Sequence, residues 1–130
     1  NPHIILKSEN HTTRIYENEE WNNKSTSFLS ILRETQKKYL APKLSGIPHF
    51  TGGLVGFMGY ESITWVEDIP IYEEDALQCP DALFMLYHEI IAFDHLKNQI
   101  ILLSNVQIED GMDFEKAGIS AKCTKSTSAP

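Results

Sequence analysis

Four of the ten residues from Phe50 to Gly59 are glycine, and those between them are mostly large and apolar: Phe50-Thr51-Gly52-Gly53-Leu54-Val55-Gly56-Phe57-Met58-Gly59, followed by Tyr60-Glu61. Flexible linkers set their glycines among serines and other small polar residues, so this is no linker. Glycine among bulky side chains marks a strand that another backbone approaches closely, or a backbone angle that a side chain would forbid. The segment predicts a buried strand over Leu54 to Met58, leading into a short helical turn over Tyr60 to Val66.

The spacing Gly53-x-x-Gly56-x-x-Gly59 superficially matches a nucleotide-binding loop. A dinucleotide fingerprint, however, needs a strand ending at its first glycine and a helix opening at its last, so that backbone N–H groups point at pyrophosphate. Here the glycines lie along the strand itself, and no Gly-Lys-Ser/Thr follows. Close packing within a sheet is the better account.

The rest of the chain supplies an antiparallel sheet and helices. Ile4-Ile5-Leu6-Lys7-Ser8 and Thr12-Thr13-Arg14-Ile15-Tyr16-Glu17, joined by polar Glu9-Asn10-His11, predict a hairpin over residues 3 to 17. Asn18 to Ser25 is polar except for Trp21. Ser25, Thr26 and Ser27 are candidate caps for a helix from Phe28 to Leu40. Its inner face takes Phe28, Leu32, Thr35 and Tyr39, widened by Leu29, Ile31 and Leu40, and Lys37 and Lys38 suit the negative end of its dipole.

Ala82 to Asp94 alternates two apolar sets, one with Phe84, Leu86 and Ile90 and the other with Met85, Ile91 and Phe93, which predicts cover on both faces. With Gln99 to Val106 it predicts a long hairpin over residues 82 to 106. A continuous strand from 82 to 94 would exceed about 40 Å, so a bend or bulge is expected within it. Asp113 can cap a last helix ending near Ala121, and residues 122–130 are expected to fray. The fold class is α+β, mainly antiparallel sheet with helices packed on it, and residues 1–130 are read as a single domain.

Composition limits the function. A net charge of -7, with 18 acidic against 11 basic residues and only Arg14 and Arg33 as guanidinium donors, repels a phosphate backbone; nucleic acid is excluded as a partner. No apolar run approaches the length of a membrane span, and a cytoplasmic location is expected. Cys79 and Cys123 stand far apart, with no C-x-x-C pair, so neither a zinc site nor a disulfide framework is indicated.

No set of side chains has the spacing of a catalytic centre. His3, His11, His49, His88 and His95 never fall at i, i+4. Glu61, Glu67, Asp68, Glu73, Glu74 and Asp75 lack the ligand spacing of a calcium loop and read as a solvated acidic face. There is no Gly-x-Ser-x-Gly elbow. Taken alone, these residues specify a scaffold.

The glycine segment from Pro48 to Glu61, followed by an acidic turn, then Asp75-Ala76-Leu77, Pro80-Asp81-Ala82-Leu83-Phe84 and a hairpin over Ile90 to Leu103 containing Phe93-Asp94-His95, resembles the N-terminal domain of anthranilate synthase component I. Strong similarity covers about residues 46 to 103. One departure is Thr64, where many relatives place Arg.

The resemblance implies an intact enzyme that converts chorismate and ammonia to anthranilate and pyruvate in tryptophan biosynthesis. It further implies magnesium as cofactor, a glutamine amidotransferase subunit that delivers the ammonia, and tryptophan as feedback inhibitor. In that family the catalytic groups belong to a C-terminal chorismate-binding domain, and the Leu-Leu-Glu-Ser segment tied to feedback would lie before residue 1. This chain then reads as a noncatalytic fragment, inactive by itself, with no catalytic, cofactor-binding or metal-binding residue carried over. Its exposed apolar surface is expected to allow a homodimer. Two alternatives stay open: the N-terminal domain of aminodeoxychorismate synthase component I, and a freestanding small-molecule binding module.

Overall fold

The computed structural model describes residues 1–10, 12–40, 47–70 and 78–108, and the backbone of 125–127. It comprises two compact units, one of residues 1–38 and 54–86, the other of residues 39–53 and 87–130.

The first unit is built on a five-stranded sheet. Its strands are β1 (Ile4–Glu9), β2 (Thr12–Glu17), β3 (Glu20–Lys24), β4 (Gly53–Met58) and β5 (Ala82–Tyr87), in the order β3-β2-β1-β5-β4. The predicted hairpin is β1 with β2, antiparallel, with Leu6 opposite Ile15 and Ser8 opposite Thr13. On its other side β1 pairs antiparallel with β5, placing Ile4 opposite Leu86 and Leu6 opposite Phe84. Alternation therefore sends Ile4, Leu6 and Ser8 of β1 to one face together with Ala82, Phe84 and Leu86 of β5, and that face is the core. Leu6, Ala82 and Leu86 are at most 1% exposed. Burying a leucine so completely contributes about 1.5–3 kcal/mol.

Helix α1 (Phe28–Lys38) packs on β1. Ser27 opens it: its carbonyl accepts from the N–H of Ser30 and Ile31 at 3.1 and 3.2 Å. Lys37 and Lys38 sit in the last turn as the dipole favours. Phe28 and Ile31 are the buried contacts, and the Phe28 ring lies 5.4 Å from Trp65 and 6.2 Å from Phe84. Leu40, expected to widen the apolar stripe, instead lies beyond the helix end and is exposed.

Three further expectations are revised in this unit. Residues 20–24, read only as a polar stretch, form β3, paired with β2 so that Trp21 faces Tyr16. The turn between them holds Asn18 and Glu19 at positive φ (54° and 67°), the geometry of a two-residue primed hairpin turn. The strand β4 exists, but it lies at a sheet edge and is not buried: Val55 and Phe57 are each 45% exposed and Met58 43%. Pairing on one side only leaves the other open. Finally, β5 pairs with β1 and takes no part in a hairpin over residues 82 to 106.

The second unit contains β6 (Glu89–Asp94) and β7 (Gln99–Ser104), a six-residue antiparallel hairpin with Ile91 opposite Leu102 and Phe93 opposite Ile100. The break expected between residues 82 and 94 falls at His88, where β5 has ended and β6 begins. Ile101 is buried on one face of the hairpin, whereas Ile91 and Phe93 on the other are 63% and 64% exposed, so the expected cover on both faces is not found. Within the range expected to fray, Lys125–Thr127 forms β8, antiparallel to β7. The expected helix from Asp113, the acidic turn at Glu73-Glu74-Asp75, and His11 and Cys123 lie outside the described residues.

Candidate functional site

The residues that mark the resemblance lie in positions that fix backbone. Gly56 stands where the backbone of β5 comes closest: a Cβ added there would collide with the Leu83 carbonyl and lie 2.6 Å from the Phe84 Cα. Gly59 continues the same contact, donating its N–H to the Asp81 carbonyl at 2.7 Å. The two contacts run in opposite directions along β4 and β5, so the close approach predicted for the glycine strand is made against the segment containing Pro80-Asp81-Ala82. Asp81 also accepts a 3.4 Å hydrogen bond from the buried Ser8 Oγ. Past Gly59, the 3-10 helix (Tyr60–Trp65) starts with Ser62 donating its Oγ–H to the Gly59 carbonyl at 2.7 Å. Thr64 donates its Oγ1–H to the Glu61 carbonyl at 2.7 Å.

Gly52 and Gly53 serve a different need. Both adopt positive φ (146° and 121°), a region that side chains rarely enter. At Gly53 nothing lies within 4 Å of the Cβ position, so conformation alone requires glycine there; at Gly52 an added Cβ would also meet the Asn105 side-chain amide. Asn105 Nδ2 donates to the Thr51 carbonyl at 2.5 Å and to the His88 carbonyl at 3.2 Å, and the Asn105 backbone N–H donates to His88 at 2.8 Å. One asparagine thus ties the segment before the glycine strand to the start of the hairpin. The sequence reading missed it. The only signal was a carboxamide placed directly after an apolar strand.

Phe93 and Asp94 end β6, and His95 opens the turn over residues 95–98 that leads into β7. Asp94 Oδ1 accepts the N–H of Leu96 and of Lys97, each at 3.1 Å, and Oδ2 accepts from Gln99 Nε2 at 3.4 Å. The N–H of Lys97 is the leading cause that holds the Asp94 carboxyl below its ordinary pKa; burial opposes it, and the N–H of Leu96, the Gln99 amide and the Lys97 charge add to the lowering.

No chemistry converges elsewhere among the described residues. No group of three or more His, Cys, Asp or Glu side chains could hold a metal ion. His3, His49 and His95 are exposed at separate points, and His88 stacks on Tyr39 with ring centroids 5.6 Å apart. Glu61, Glu67 and Asp68 are exposed, as is the free thiol of Cys79. Arg14 lies 5.3 Å from the Trp21 ring centroid, a cation–π contact on the sheet surface. No described helix is long and apolar enough to cross a membrane.

Residues 2–128 match the family model described as chorismate binding enzyme. The chain belongs to that family. Among members similar to it is anthranilate synthase component 1 of Acetivibrio thermocellus, 31% identical over 122 residues, which cover 93% of this chain and 24% of that protein. A probable anthranilate synthase component 1 of Schizosaccharomyces pombe is 33% identical over 99 residues, 74% of this chain and 20% of that one. The crystal structure of anthranilate synthase component I from Streptococcus pneumoniae TIGR4 superposes with a TM-score of 0.68 at 28% identity, over 90% of this chain and 26% of that chain. The α+β architecture and the likeness to component I, drawn first from residues 46–103, therefore hold over most of the sequence. This member of the chorismate-binding family spans about a quarter of the length of the relatives it matches.

Proposed function

We propose that these residues are part of the noncatalytic N-terminal domain of an anthranilate synthase component I, where they act as a structural buttress for a separate chorismate-binding domain. The observation that carries this reading is the use made of the family-marking residues. Gly56, Gly59, Asp81 and Asp94 are engaged in backbone approach, strand joining and turn formation, and none presents an acid, base or nucleophile to a shared cavity. A scaffold role fits those contacts.

The intact enzyme would convert chorismate and ammonia to anthranilate and pyruvate, a lyase reaction, with the ammonia supplied by a glutamine amidotransferase partner and with tryptophan as inhibitor. Magnesium would serve that reaction, but the described residues do not fit it as a ligand set, since their carboxylates are dispersed. The relatives named above are all of the anthranilate branch, which favours it over the folate branch.

Two measurements test the proposal. Incubating the purified chain with chorismate, ammonia and magnesium should yield no anthranilate by fluorescence; turnover in a contaminant-free preparation would overturn the noncatalytic reading. Reading the gene on both sides of the codons for residues 1–130 should reveal a chorismate-binding domain downstream. An aminodeoxychorismate-type domain there would move the protein to the folate branch.

A further inference from the structure

We draw no further inference here: the strongest candidate, the Arg14 side chain beside Trp21 on the face of the five-stranded sheet opposite its core, has a buried Nε with no hydrogen-bond partner among the described residues, and nothing in the structure shows which ligand or chain segment would supply one.

Discussion

Asn105 Nδ2 donates to the carbonyl of Thr51, 54 positions earlier, at 2.5 Å. This single side chain brings the segment before the glycine strand to the hairpin that begins beyond His88. Replacing Asn105 with Ala leaves the Thr51 carbonyl without that partner and should destabilise the fold by about 1–3 kcal/mol. N105D should cost at least as much near neutral pH, because a carboxylate cannot donate to the two carbonyls it would face. Urea midpoints equal to that of the unaltered chain for both variants would show the contact to be dispensable.

Gly53 and Gly56 should both reject valine, for different reasons. At Gly56 the obstacle is the fixed backbone of β5, so G56V should cost about 1–3 kcal/mol or more through overpacking. At Gly53 space is open, and the cost is backbone strain at φ 121°, on the order of 1–3 kcal/mol. Denaturation midpoints test both. If G53V is neutral, the positive φ is relieved easily; if G56V is neutral, the strand can move away from Leu83.

Asp94 should titrate below a free aspartate, since hydrogen bonds from Lys97, Leu96 and Gln99 favour its charged form. Its pKa is lower folded than unfolded, so its contribution to stability is present above the unfolded value of about 3.9 and is lost as pH falls through the folded value. Carboxyl carbon chemical shifts followed by NMR against pH measure this directly. D94A should remove that part of the acid dependence, and a midpoint at or above the free value would refute the assignment.

Core and open-face residues should separate cleanly. L6A, in the buried face of β1, should cost about 2–5 kcal/mol. I91A, on the exposed face of the hairpin, should cost below about 1 kcal/mol. Comparable losses in the two variants would mean that the Ile91 face is covered in solution.

Local chemistry alone determined much of this protein. Two strand-like runs, Ile4–Glu9 and Thr12–Glu17, joined by a polar turn, specified the hairpin. Serine before an amphipathic run, with lysines at its end, set α1. The glycine pattern announced a close backbone approach, and the likeness to component I was carried by the same residues. What sequence could not decide was which strands become neighbours. Whether β5 pairs with β7 or with β1 depends on contacts some eighty residues apart, as in Ile4 opposite Leu86, and the apolar alternation of residues 82–94 suits either choice. The same holds for burial: Gly53–Met58 has the composition of a central strand, yet it ends at an edge because no described strand lies beyond it. β3 was hidden for the converse reason, since its stability comes from pairing with β2 and from Trp21 beside Tyr16 and Arg14, and not from any propensity of Glu-Trp-Asn-Asn-Lys. Asn105 was equally invisible, because a hydrogen bond to a carbonyl 54 residues away is created only when the tertiary fold brings the two together.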